Sequence, residues 1–464
     1  MLIGSLVPPT VQGRLAPRGR LRFGFGARFF VALLLGLIWI VPAWWSPRLI
    51  AAMFLWDAFA LGLWLIDLLR LPAPSQLEAR RIWNAHLSLA HSASVRIELR
   101  NGGRIAILAR ITDALPTALR DQPAAIEIAV PAGELGAGEY SILPRSRGDI
   151  RTGGIFARYQ SSLGVAERWA MADLSQSVRV LPDLEQARHH ALYLIRSRQV
   201  EMEKRRRRQR GAGREFETLR EYRQGDEMRD ICWPATARRH QLTTRLYQAE
   251  RSQTVWIVVD AGRLLRAEVR DAHRVLRAAK LDYAVDAALA LAQVASQSGD
   301  RVGLLAYGRA IQQSVGAGRG PLHIRALLDS LALVHVEAAE ANHALAARTL
   351  LRAQTRRSLV VWITDVAETP MTPEVIEYAT QMTRRHVVVF AVMSQPDLVA
   401  LARATPQSEA EMFRHAAALE VVERRELLLR GLRQRGVLAI DLAPGALAAA
   451  LVNQYLDIKE RSLI

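Results

Sequence analysis

The residues richest in possible chemistry fall in one stretch. From 211 to 239 the chain reads GAGREFETLREYRQGDEMRDICWPATARR, where Glu215, Glu217, Arg220, Glu221, Arg223, Asp226, Arg229 and Arg238 crowd together with mixed sign. Paired carboxylates can act as general acid and base, so a hydrolase is one reading. The same residues can instead close on one another as charge-assisted arginine–carboxylate bonds spanning several loops. That second reading makes the stretch a partner surface, or a structural brace joining two domains. A hydrolase requires a deep pocket around Glu215 and Asp226 with perturbed pKa values, whereas an interaction module requires a flat charged surface. Phe216, Leu219, Tyr222, Ile231 and Trp233 are the apolar residues expected to anchor the segment to a core.

Other reactive residue types are sparse. Cys232 is the single cysteine, which excludes an intramolecular disulfide and any cysteine-based zinc cluster. Set between Ile231 and Trp233, it reads as a small core residue and not as a nucleophile. His189 and His190 fall on an expected helix beside basic residues and read as a solvated face. The chain has no phosphate loop, no G-x-S-x-G, no H-E-x-x-H and no glycine-rich dinucleotide fingerprint. The formal charge of +17 points to an anionic partner, acidic phospholipid or nucleic acid. Its densest expression is Lys204–Arg210, KRRRRQR. This run reads as a solvated arm, as a lipid contact at about 1 kcal/mol per basic residue near the surface, or as a sequence-independent phosphate binder. No recognition module accompanies it, so specific nucleic-acid binding is not expected.

Several kinds of element must position these residues. At 464 residues, half of them hydrophobic, the chain has room for about two to four domains. Residues 1–28 form a basic N-terminus. Within 29–70 lie two apolar runs, FFVALLLGLIWIVPAWW (29–45) and LIAAMFLWDAFALGLWLIDLL (49–69), joined by Ser46-Pro47-Arg48. Crossing a bilayer takes about 20 such residues, with a range of ~17–25, so both runs qualify as a transmembrane hairpin. A signal peptide is the alternative for the first run, but no small-x-small cleavage site follows and a second span comes at once. Arg14, Arg18, Arg20, Arg22 and Arg28 precede the hairpin and Arg70, Arg80 and Arg81 follow it, against Arg48 alone in the turn. The positive-inside rule then places both flanks, and the soluble body, in the cytoplasm at the inner membrane. Asp57 within the second span is either functional, protonated or hydrogen-bonded to the neighbouring helix. Asp67 reads as close to the water interface.

From 75 to 182, LEARRIWNAHLSL reads as a helix. VRIELRN (95–101), RIAILARI (104–111), AAIEIAV (124–130) and EYSILP (139–144) then alternate apolar with polar, as in a small β-sandwich, with a turn at Asn101-Gly102-Gly103. The region 183–250 holds a basic helix (183–210) followed by the charged stretch. From 252 to 464, TVWIVVD, RVGLLAYG, SLVVWITD and HVVVFAVM are nearly continuous apolar runs alternating with helical segments. That order predicts a doubly wound, mostly parallel α/β sheet. RAIQQSV (309–315) is expected as an antiparallel edge strand, 408–435 as a surface helix and VLAIDL (437–442) as the last strand.

The charged stretch resembles the signature of the domain of unknown function 58 (DUF58) family, a glycine-led E-F-x-x-L-R-E-Y-x-x-G-D followed by R-x-I-x-W-x-x-[ST]-A-R. Glu215, Phe216, Leu219, Arg220, Glu221, Tyr222, Gly225, Asp226, Arg229, Ile231, Trp233, Thr236, Ala237 and Arg238 match it. Cys232 and Pro234 depart, standing where aspartate and lysine are common. Arg147-Gly148 and Leu163-Gly164 look like further family landmarks. The resemblance implies two N-terminal transmembrane helices, a sandwich-like region and a C-terminal domain resembling von Willebrand factor type A. It also implies association with a MoxR-type AAA+ ATPase, in assembling or activating other proteins.

Type A domains often hold Mg²⁺ with D-x-S-x-S after the first strand, a later threonine and a later aspartate. In this chain Asp260-Ala261-Gly262-Arg263-Leu264 lacks both serines, and loop 316–322 lacks the threonine. Asp260 and Asp365 remain as possible metal ligands of a degenerate site. In the alternative, they cap loops or pair with arginine, Arg263 being the nearest in sequence. The resulting expectation is a membrane-anchored, non-catalytic interaction protein with no cofactor. Its functional surface is formed by Glu215, Arg220, Glu221, Tyr222, Asp226, Arg229, Trp233 and Arg238.

Overall fold

The computed structural model describes residues 7–18, 22–46, 50–183, 215–222, 228, 231–248, 253–269, 278–366 and 372–461. The basic run 204–210, His189, His190, Arg223, Asp226 and Arg229 lie outside these residues, as does nearly all of the helix expected over 183–210. The chain divides into two compact units, Met1–Leu181 and Pro182–Ile464.

In the first unit, α1 (Ala27–Gly36) runs through a 3-10 turn, Leu37–Trp39, into a short helical end at Ile40–Ala43. α2 (Ile50–Arg70) packs back on it. The two meet at Gly36, where a Cβ would come within 2.8 Å of the Trp56 ring and 2.9 Å of Asp57 Oδ1. Trp56 Nε1 also donates to the Ala32 carbonyl at 2.8 Å. Asp57 is thus half-buried against the neighbouring helix. Among the described residues only the helical run Ile50–Gln76 is long and apolar enough to cross a membrane, so one of the two expected spans is present at full length. The first apolar helix, Ala27–Pro42, is shorter, and the 3-10 turn breaks its regular winding. Most large side chains of both helices, among them Leu34, Ile38, Phe54, Leu55 and Phe59, are exposed.

The end of α2 is built into the β-rich part of the unit. Asp67, expected near water, is buried and accepts from Ser161 Oγ and from the Ala166 amide, the latter at 3.0 Å. Trp64 Nε1 donates to the Gly24 carbonyl (3.2 Å), and Arg168 Nη2 to the Leu68 carbonyl (3.0 Å).

The segment read as a helix after α2 is a strand, Leu77–Trp83, with alternate residues buried. It pairs with Val11–Arg14 on one side and Ala93–Asn101 on the other, and Leu135–Ile142 completes a four-stranded sheet. A second sheet runs Ala166–Ala172, Ile155–Ser161, Ile107–Asp113 and Ala124–Val130, with Ala16–Pro17 and Phe23–Phe25 along its outer edge. A third joins Gly148–Thr152, Gln176–Leu181 and Leu87–Ser88. The sheets share one core that includes Leu77, Val95, Ile97, Ile111, Tyr159 and Val180. The strands flanking Asn101-Gly102-Gly103 do not pair with each other, so the turn carries the chain from one sheet to another. Asn101 holds that crossing, donating to the Ile105 carbonyl (2.8 Å) and accepting from the Gly103 amide (2.9 Å).

Buried in this core is Arg81. Its guanidinium pairs with Asp113 and donates to Thr152 Oγ1 (3.0 Å) and to the carbonyls of Leu174 (2.9 Å) and Gly153 (2.9 Å). The Tyr140 hydroxyl donates to the same aspartate. Burial, then the adjacent Asp113 charge, pushes the Tyr140 phenol well above its ordinary range.

The second unit is built on a six-stranded sheet in the order Ile311–Gly318, Arg301–Tyr307, Thr254–Asp260, Leu359–Thr364, Val387–Met393, Leu438–Leu442. All neighbours are parallel except the edge strand Ile311–Gly318. On one face Trp256, Val258, Trp362 and Phe390 pack with residues of helices His343–Ala353, Thr372–Thr383 and Glu409–Gln434. Helix Lys280–Gln297, buried along most of its length, packs on the Thr254–Asp260 strand and against Pro321–Leu333 and Leu447–Glu460. Strands covered on both faces account for the long apolar runs.

Candidate functional site

The first described part of the charged signature is a strand in a two-stranded antiparallel pair. Glu215–Glu221 pairs antiparallel with Thr243–Gln248, with Glu221 opposite Thr243. The Tyr222 amide donates to the Leu242 carbonyl at 2.8 Å, and Ile231 bridges to Thr244. The Cys232 amide donates to the Thr243 carbonyl at 2.8 Å and opens the short helix Trp233–Arg239, with Pro234 in its first turn where a missing N–H costs nothing. Thr236 Oγ1, within that helix, accepts from the Thr243 amide at 3.1 Å. Ile231 and Cys232 are buried, and Tyr222 is half-buried. Trp233 was expected to anchor the segment; it is 63% exposed at the start of the helix. Glu221, Met228 and Arg238 are exposed with it. Glu215 and Arg220 lie on the first strand.

A second polar cluster sits at the carboxyl ends of the central strands, where ligands meet open α/β sheets. Asp260 ends its strand and is buried; Oδ1 accepts from the Gly262 amide (2.7 Å) and Oδ2 from Thr364 Oγ1. Burial raises the Asp260 carboxyl above its ordinary value, while the nearby His343 and these two donors pull it down. Asp365, also buried, places Oδ2 2.6 Å from Lys280 Nζ and Oδ1 2.7 Å from Arg425 Nη1. Arg425 continues to Asp441, Nη2 to Oδ1 at 2.8 Å. Lys280 is 1% exposed, at the start of its helix.

Beside this cluster the Tyr307 hydroxyl lies 2.7 Å from His343 Nδ1 and accepts from Trp362 Nε1 at 2.7 Å. Burial, then the Asp260 charge, drives the Tyr307 phenol far upward, and burial lowers the His343 imidazole. The two share this hydrogen bond, and the imidazole tautomer sets which of them donates.

This donor set does not fit a divalent cation. A hard cation takes several oxygens at once, yet both oxygens of Asp260 and both of Asp365 are already bonded. An ammonium and a guanidinium would have to leave before a metal could reach Asp365. Among the described residues no group of three His, Cys, Asp or Glu converges as a metal site would require. Arg263 pairs with Glu340 (2.6 Å) near the surface, so the arginine serving Asp365 is Arg425, from the long helix. Sequence reasoning missed Lys280, Arg425, His343 and Tyr307. Lys280 did leave a signal, as a charge at the head of a helix that is otherwise largely apolar, KLDYAVDAALALAQVA.

Residues 218–403, from the signature strand through the fifth strand in the sheet, match the family described as "Protein of unknown function DUF58". Uncharacterized proteins of Mycobacterium tuberculosis and Mycobacterium bovis are 31% identical over 157 residues, covering 33% of this chain. The chain spans about half the length (48%) of these curated relatives. The crystal structure of a conserved hypothetical protein BatB from Bacteroides thetaiotaomicron aligns over 45% of this chain and 100% of its own, at 14% identity and a TM-score of 0.31, too low to guide an argument. Over 218–403 the chain is thus similar to the DUF58 family, whose description assigns no function.

Proposed function

We propose that the protein is a membrane-anchored, non-catalytic interaction module of the inner membrane. In this reading α1 and α2 cross the bilayer as a hairpin with both flanks cytoplasmic. The signature and a von Willebrand factor type A-like C-terminal domain are presented to a MoxR-type AAA+ ATPase, or to a protein that the ATPase assembles or activates. One observation carries the reading: the buried carboxylates at the strand ends are bonded within the fold, while Trp233 stands exposed with Glu221 and Arg238. A bonded buried cluster makes a rigid support, and an exposed tryptophan near opposite charges makes a contact surface of the kind partners bury. Anchoring draws on the outward apolar side chains of both helices and on the joint between α2 and the β-rich unit.

The test is affinity capture of the detergent-solubilised full-length protein from its own cells, followed by mass spectrometry. An AAA+ ATPase should be recovered from the native protein, and its yield should fall several-fold with Glu221→Ala/Trp233→Ala while circular dichroism is unchanged. Recovery of nucleic acid or small-molecule enzymes, with no ATPase at any salt concentration, would sink the proposal.

A further inference from the structure

The joint between the apolar helices and the β-rich unit has an outer surface of its own. Arg28, at the start of α1, donates through Nη1 to the carbonyls of Ser162 (2.7 Å) and Leu163 (3.1 Å). These residues form the tip of the hairpin between strands Ile155–Ser161 and Ala166–Ala172. The Gly26 amide donates to the Val165 carbonyl at 2.8 Å. A Cβ at Gly26 would lie 2.1 Å from the Gly164 carbonyl oxygen, so the helix start and the hairpin tip touch backbone to backbone. With Asp67 holding the far side of the same hairpin, its tip is fixed beside the roots of both helices.

What this hairpin shows to the outside is apolar and aromatic. Leu163 is exposed at the tip, and Trp169 and Met171 are exposed on the outer face of the second strand. The Trp169 indole lies over Gly24, 3.1 Å from where a Cβ would stand. Next in the chain, Phe25 is also exposed and stacks on Phe29 (4.6 Å) and Trp64 (4.7 Å) of the helices. Apolar surface therefore continues from α1 and α2 through Phe25 to Trp169.

Arginines accompany it. Arg18 sits 3.9 Å over the ring of Phe156, which faces Met171 across the strands, and Arg158 faces Trp169. Arg22 and Arg28 are exposed at the same edge, and Arg70 closes α2. On the outer face of the Ala166–Ala172 strand the carboxylate is Glu167, already paired with Arg158.

We propose that this collar of Leu163, Trp169, Met171 and Phe25, with its arginines, lies on the surface of an anionic bilayer. The proposal rests on the reading that the helices cross the membrane. Tryptophan favours the headgroup level with its N–H towards water, and phenylalanine and leucine bury just beneath it at the acyl boundary. Arginine forks match lipid phosphates, and a negative leaflet attracts clustered basic side chains. A soluble partner would give no reason for the apolar surface to continue into the helices.

The test uses full-length protein in vesicles of phosphatidylcholine with phosphatidylglycerol. Nitroxides are placed one at a time through Leu55→Cys, Leu163→Cys, Trp169→Cys and Leu135→Cys, in a Cys232→Ser background. All four positions are exposed, so folding should tolerate them. Labels at 55, 163 and 169 are expected to collide with lipid-dissolved oxygen and to meet a water-soluble nickel chelate several-fold less often than the label at 135. If 55 lies in lipid but 163 and 169 meet nickel as freely as 135, the collar is wrong and the anchor stands. If 55 itself is open to nickel, both readings fall. Protection of 163 and 169 from both reagents, as beneath a second protein, overturns the collar as well. An identical result in pure phosphatidylcholine would overturn the requirement for anionic lipid.

Discussion

Lys280 stands where a helix disfavours a cation, at its N-terminal end, and it is almost completely buried. A lysine so placed stays charged only if a partner compensates for the lost water, and Asp365 does so from 85 positions further along the chain. Arg425 takes the other carboxylate oxygen and ties in Asp441. Removing one member of such a set leaves a buried charge uncompensated, typically at about 3–5 kcal/mol. Asp365→Asn should therefore destabilise the solubilised protein by about that much in urea unfolding, and Lys280→Met by less, because Arg425 still faces Asp365. The double variant should regain much of the loss, giving a large coupling energy. Simple additivity of the two losses would mean that the ion pair does not hold this end of the sheet. The two aspartates were legible from sequence because each closes an apolar strand. Their partners were not, since pairing across 60 to 85 residues is decided by tertiary packing. Arg263, next to Asp260 in sequence, goes to Glu340 for the same reason.

Elements were legible wherever burial followed one rule along the whole run. The parallel strands of the second unit are covered on both faces and read as unbroken apolar segments, and the antiparallel edge at Ile311–Gly318 is more polar and only partly buried. Leu77–Trp83 failed because its inward set, Leu77, Ala79, Arg81 and Trp83, contains an arginine, which breaks the period-two pattern and lets a helical period fit instead. What makes Arg81 acceptable inside is its full set of acceptors, headed by Asp113. The two adjacent arginines therefore have opposite consequences. Arg81→Met should cost about 3–5 kcal/mol, leaving Asp113 buried without its counter-charge. Arg80→Met, on the outward side of the strand, should stay within about 0.5 kcal/mol. Urea unfolding followed by circular dichroism distinguishes them. Equal costs at the two positions would contradict the strand's orientation. Asp67 was misplaced by the same logic: at the end of an apolar helix a carboxylate suggests water, yet folded strands supply its donors.

On the scale of the whole molecule, the described residues of each unit pack around apolar clusters of their own. In the first unit Leu15 through Val180 surround the buried Arg81, and in the second Trp256 through Ala439 cluster on one face of the sheet while helix Lys280–Gln297 packs against Thr254–Asp260. Each unit satisfies its buried charges internally, Arg81 with Asp113 in the first and Lys280 with Asp365 in the second. Cooperative unfolding extends as far as packing and such networks are shared, so each core should melt as its own unit. Scanning calorimetry of the full-length protein in detergent is thus expected to resolve two transitions. Arg81→Met should lower only one of them and Lys280→Met only the other. The shift should be about 2–4 °C per kcal/mol lost, the scale for domains of ~150–250 residues. A single transition that moves equally with either substitution would show the two cores unfolding together. The charge networks would then act on the molecule as a whole, and a change in the second unit would alter the stability of the first. Two independent transitions would instead mean that a change in one unit leaves the stability of the other untouched.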